Sequence, residues 1–132
     1  MGHTTDEEAL EIIGGAREVI DYFGFWPSLH DAEMLELWLR RPGLCTVSFY
    51  VYERSGPDLV AEGHPWKNAI LTFVLKDVFD LSLLNYSSQN VVAAVTFAPV
   101  DHGLRMEIYE NTGTQGWLEA KSVSVDLMLL RS

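Results

Sequence analysis

One cysteine in 132 residues, Cys45, leaves no internal disulfide and none of the cysteine pairs of a structural zinc site. Basic residues are scarce. Nine Lys and Arg stand against nineteen Asp and Glu, a formal charge of −10. Such a surface repels phosphate backbones, so direct nucleic-acid binding is not expected. Long apolar runs are missing too. The longest, Ala69 to Leu75 and Val91 to Val100, are too short to span a bilayer. No basic-then-apolar segment opens the sequence, so the expected location is the cytoplasm, with no membrane contact. There is no zinc-protease helix, nucleophile elbow, phosphate loop or dinucleotide fingerprint. Enzymatic activity, a cofactor and a bound metal are therefore not expected.

What remains is ordinary for a soluble globular chain: 48% hydrophobic and 21% charged residues. The length suits one domain over residues 1–132. Its charge is uneven. Through Glu36 there are nine acids against Arg17 alone, a balance of −8. The rest carries ten acids and eight bases, a balance of −2. An acidic lobe of this kind is a solvated helix face or a surface for a basic partner.

Thr5-Asp6-Glu7-Glu8 reads as a capping box opening a helix. Gly14-Gly15 breaks or bends it. Ala16, Val19, Ile20 and Phe23 then form one apolar stripe, and Gly24 is a natural stop. From Ala32 the period changes. Leu35, Leu37 and Leu39 alternate with Glu36, Trp38 and Arg40, a strand with a helix over Asp31 to Leu39 as its rival. Val47, Phe49 and Val51 alternate with Thr46, Ser48, Tyr50 and Tyr52. Further strands are expected at Ala69 to Leu75, Val78 to Leu84, Val91 to Phe97, Leu104 to Tyr109, Trp117 to Lys121 and Val123 to Leu130. Turns are expected at Arg41-Pro42-Gly43, Ser87 to Asn90, Asn111-Thr112-Gly113 and Gln115-Gly116, and a loop over Ser55 to Pro65. The expected fold is α+β. A helix or helical hairpin within residues 1–24 packs on a twisted, mainly antiparallel sheet of seven or eight strands within residues 32–130.

The densest chemistry lies at Trp26-Pro27-Ser28-Leu29-His30-Asp31-Ala32-Glu33, between the helical part and the first strand. It joins an indole, a rigid proline, an imidazole and two carboxylates where rigid elements present a loop. If the segment is extended, Asp31 and Glu33 share one side and His30 takes the other. Three readings compete. A structural one has Ser28 capping a turn, Asp31 bonding nearby amides and His30 packing its ring. A metal-dependent hydrolase would use His30, Asp31 and Glu33, with His64 or His102 as a further ligand. A binding surface would use the same groups on a partner. Gln89-Asn90 is the second polar cluster, fit for a turn or a contact. Tyr50 and Tyr52 share a face, with Trp38 on a neighbouring strand; such a patch is a second core layer, an interface anchor or a site for a small molecule or peptide. Cys45 reads as a small core residue rather than a nucleophile.

The run Phe23-Gly24-Phe25-Trp26-Pro27-Ser28-Leu29-His30-Asp31-Ala32-Glu33 resembles the F-G-x-W-P-S-F-H-D-A-E signature of the immunity-protein family numbered fifty of bacterial polymorphic toxin systems. Leu29 replaces the usual aromatic. Leu84-Asn85-Tyr86-Ser87-Ser88-Gln89-Asn90-Val91-Val92 is similar to a second segment of that family, with Leu84 and Ser87 departing from it. The order of features runs from about Gly15 to about Leu127. The resemblance implies an α+β antitoxin that binds and neutralises a cognate toxin, with a basic nuclease domain as one candidate. It marks Trp26, Pro27, Ser28, His30, Asp31, Glu33, Gln89 and Asn90. Of these, Trp26, His30, Asp31, Glu33, Gln89 and Asn90 are the expected partner-binding residues.

Overall fold

The structure is a computed structural model, which describes residues 5–40, 43–54, 66–83, 92–110 and 115–129. Two short helices, α1 (Glu7–Ile12) and α2 (Ala16–Phe23), precede six strands. These are β1 (Glu33–Arg40), β2 (Leu44–Arg54), β3 (Trp66–Leu83), β4 (Val92–Val100), β5 (Gly103–Glu110) and β6 (Gln115–Leu129). The sheet order is β1-β2-β3-β6-β5-β4, and every strand pair is antiparallel.

The α+β expectation holds, but the described residues contain six strands rather than seven or eight. Two pairs of expected strands are each one long strand. Ala69 to Leu75 runs into Val78 to Leu83 as β3, and Trp117 to Lys121 runs into Val123 to Leu129 as β6. In β3 the expected break is a bulge. Asp77 adopts φ 57°, and the register slips between Val78 and Asp80, so the chain bends at a bulge without reversing. The turn Gly43 braces the bend, its carbonyl accepting the Val78 N–H at 2.8 Å. Gln115-Gly116 likewise belongs to β6 rather than to a turn. The expected turn at Ser87 to Asn90 and loop at Ser55 to Pro65 lie outside the described residues, as do Arg41-Pro42 and Asn111-Thr112-Gly113.

The long strands serve two half-sheets. The first half of β3 joins β2 to the last half of β6; its second half meets the part of β6 that pairs with β5. Cys45, Val47, Phe49 and Val51 of β2 point inward with Ala69, Leu71, Phe73 and Leu75 of β3, as period-two alternation requires. Leu104, Met106 and Ile108 do the same from β5. The helices close this face with Ala9, Ala16, Val19 and Phe23, all buried. Cys45 is a core residue, and burial pushes its thiol up to about 11.

The helical corner is seated directly on the sheet. Gly14 bridges the free edge of β6: its N–H donates to the Val123 carbonyl at 3.1 Å, and its carbonyl accepts the Val125 N–H at 2.7 Å. Gly15 follows at φ 86°, where a Cβ would overlap the Val125 carbonyl oxygen. Gly24 ends α2 at φ 90°, its N–H donating to the Ile20 carbonyl. The expected capping box does not form. Asp6 is the N-cap without a side-chain bond, and the Thr5 hydroxyl accepts the Phe97 N–H of β4 instead.

Candidate functional site

Residues Trp26 to Ala32 carry the chain from α2 across to the free edge of β4, then into β1. The Val95 N–H donates to the Ser28 carbonyl, the Asp31 N–H to the Val92 carbonyl at 2.9 Å, and the Val92 N–H to the Ala32 carbonyl at 3.0 Å. Further along the same edge, the Asp6 N–H donates to the Phe97 carbonyl. The edge of β4 is therefore occupied, which satisfies backbone groups that an open edge would offer to other chains.

The segment divides by face. Trp26 is half-buried, its ring edge-on to Phe73 at 6.2 Å and to Phe97 at 6.3 Å. Its indole N–H is buried and has no acceptor among the described residues. Pro27, Leu29 and Ala32 are buried beside it. Ser28, His30, Asp31 and Glu33 face outward. Alternation alone does not produce this split. Leu29 and Asp31 adopt φ 62° and 64°, left-handed conformations that cost an L-residue about 1–2 kcal/mol. Full burial of the Leu29 side chain, worth about 1.5–3 kcal/mol, offsets its share.

The left-handed Asp31 also changes the expected side-chain geometry. An extended segment would separate His30 from Asp31, yet His30 Nδ1 lies 3.2 Å from Asp31 Oδ2. The His30 N–H donates to the Ser28 hydroxyl at 3.2 Å, so Ser28 does cap the turn. The His30 and Asp31 side chains are 66% and 58% exposed, so the imidazole does not pack as the structural reading expected. A pair this open is screened by water and adds little stability. Glu33 begins β1 opposite Tyr50. Among the described residues, no group of three or more His, Cys, Asp or Glu side chains is placed to hold a metal ion. His102 lies in the β4–β5 turn at φ 75°, and His64, Gln89 and Asn90 lie outside the described residues.

Two features on the outer sheet face escaped the sequence reading. Arg105 lies 4.3 Å over the Trp117 ring and 3.2 Å from Glu119; its Nε is 3.7 Å from Glu107, which accepts the Tyr109 hydroxyl at 2.9 Å. Burial and the Glu107 carboxylate hold the Tyr109 phenol above its usual range. The other feature is a straight row across four strands: Glu36, Ser48, Thr72 and Asp126. The Ser48 and Thr72 hydroxyls meet at 2.9 Å, and both acids are exposed. Alternation puts each of these residues on the outer face. Only the register between distant strands aligns them, and one sequence does not reveal it.

Tyr50 and Tyr52 do share that face, with ring centroids 5.9 Å apart, and Trp38 stands on it from β1 with Arg40 4.2 Å over its ring. No helix among the described residues is long and apolar enough to cross a membrane. No curated protein and no solved structure matches the chain. The family model described as Immunity protein 50 matches residues 15–128. That match runs from the α1–α2 corner nearly to the end of β6, and the chain belongs to the Immunity protein 50 family.

Proposed function

We propose that this protein is an antitoxin that neutralises a cognate bacterial toxin domain in the cytoplasm by binding it through an acidic surface, without turning over a substrate. The family match carries this reading. Electrostatics supports the finer part. All nine acids from Asp6 to Glu36 are exposed, with Arg17 the one base in that stretch. A toxin domain that acts on nucleic acid needs a basic surface, and an acidic inhibitor is steered to it, with association rates toward about 10⁸–10⁹ M⁻¹s⁻¹ at low salt. His30, Asp31 and Glu33 offer further exposed contacts where the chain passes from the helices to the sheet. Trp26, Gln89 and Asn90 complete the proposed contact set.

The test uses a candidate cognate toxin domain, chosen from the genes neighbouring the one for this chain. Stopped-flow association should slow steeply as salt rises, and Asp31→Asn with Glu33→Gln should weaken binding. A toxin that stays active in excess antitoxin contradicts the reading as a whole. Association rates indifferent to salt contradict its electrostatic part.

A further inference from the structure

The outer face of the half-sheet β1-β2-β3-β6 carries an exposed aromatic and apolar surface. Trp38, Tyr52 and Met128 are each about half exposed, at 52%, 47% and 53%. Strand registers order the face. Trp38, Thr46, Val74 and Ser124 form one row, and Glu36, Ser48, Thr72 and Asp126 the next. Glu33, Tyr50, Ile70 and Met128 form the third, with Tyr52 and Asn68 beyond it. Three strand steps make the face ~14 Å wide, and six residues of β2 make it ~20 Å long. Apolar groups thus sit on both sides of a polar row that has a carboxylate at each end.

The other half of the outer face differs. There Arg105 is already engaged by Trp117, Glu119 and Glu107. In the two rows with Glu33, Glu36 and Asp126, no described side chain is basic. Arg40 and Lys76 lie at one end of this half-sheet, with Arg40 stacked on Trp38; at the other end Arg54 pairs with Trp66 beyond Tyr52, and Lys67 turns to the helix-covered face, where it donates to the Tyr22 carbonyl. The open half combines exposed aromatic rings with unneutralised carboxylates, the composition of an interface centre that receives a basic protein.

We infer that the toxin docks on this face, setting two of its Lys or Arg side chains on Glu36 and Asp126, ~14 Å apart across the sheet, and its apolar surface on Trp38, Tyr50, Tyr52 and Met128. The inference rests on the antitoxin reading and specifies its surface. Glu33 belongs to the docking face and continues it toward His30 and Asp31. The Ser48–Thr72 hydroxyl pair fills the middle of the row, so the carboxylates are reached from its two ends. A second copy of this chain is the competing occupant.

The experiment measures Kd for the toxin domain at 0.15 M salt, using the full chain and variants first verified by circular dichroism. Trp38→Ala and Tyr52→Ala should each weaken binding at least ~30-fold, the scale of interface hot spots. Glu36→Lys with Asp126→Lys should weaken it further. Glu11→Lys with Glu18→Lys reverses charge on the helices instead; it should slow association by lost steering, but leave the dissociation rate of the complex within about threefold of the wild-type value. Loss of binding in the helical variant alone, with full binding by the sheet variants, overturns the inference while the antitoxin reading stands. A wild-type chain that neither binds nor neutralises the toxin overturns both. Sedimentation of the chain alone decides the competing occupant: a monomer supports a free face, and a dimer dispersed by Trp38→Ala overturns the inference.

Discussion

Gly15 and Gly24 share nearly the same backbone, φ 86° and 90°, but not the same surroundings. Replacing each by alanine therefore separates conformational strain from steric contact. At Gly24 nothing lies within 4 Å of the new Cβ. Gly24→Ala suffers only the left-handed penalty, partly offset by a stiffer unfolded chain, and should lose about 1 kcal/mol. At Gly15 the Cβ overlaps the Val125 carbonyl oxygen. The corner must lift, and lifting it breaks both Gly14 backbone bonds to β6, each worth about 0.5–1.5 kcal/mol. Gly15→Ala should thus lose about 3 kcal/mol or more. With a urea slope of about 1.5 kcal/mol/M, the midpoints should fall by about 0.7 M for Gly24→Ala and about 2 M for Gly15→Ala, with unchanged slopes. Equal falls would refute the claim that the helical corner is held on β6 by close backbone contact.

Three further outcomes follow from the core. Leu29→Ala should cost about 2–5 kcal/mol in urea melts, because the side chain is fully buried at the crossing to β4. Trp26→Phe should cost under about 1.5 kcal/mol, since it removes the orphaned indole N–H, whereas Trp26→Ala should cost about 3–5 kcal/mol. Cys45 should resist alkylation until the protein unfolds. Its folded thiol titrates near 11 against an ordinary 9.0, so its contribution is complete below pH 9 and disappears as pH rises through 11. Melts should show a loss on the order of 2 kcal/mol by pH 11, absent from Cys45→Ala.

Local chemistry makes much of this architecture legible in the sequence. The stripe from Ala16 to Phe23, the breaks at Gly14-Gly15 and Gly24, and the alternation of β2 all carry their own periodicity. Three things were hidden because they depend on distant partners. The bulge at Val78 is held by Gly43 from the turn between β1 and β2, and no glycine or proline near it announces a bend. Thr5 resembles a helix cap, but β4 takes its hydroxyl. Left-handed Leu29 and Asp31 follow from the crossing to β4 rather than from their own preferences, and this brings His30 to Asp31. The Trp26–Glu33 segment was recognisable as important. That it carries apolar groups inward and polar groups outward became visible only in the fold. The row Glu36, Ser48, Thr72 and Asp126 is assembled from four strands, and its register is nonlocal.

The central claim is inhibition by binding, and titration of the toxin domain with the intact chain tests it most directly. Toxin activity should fall linearly to zero at a fixed stoichiometry, with a complex of the two proteins that survives gel filtration. Toxin that remains fully active beside a large excess of the folded chain, with no complex, would contradict it.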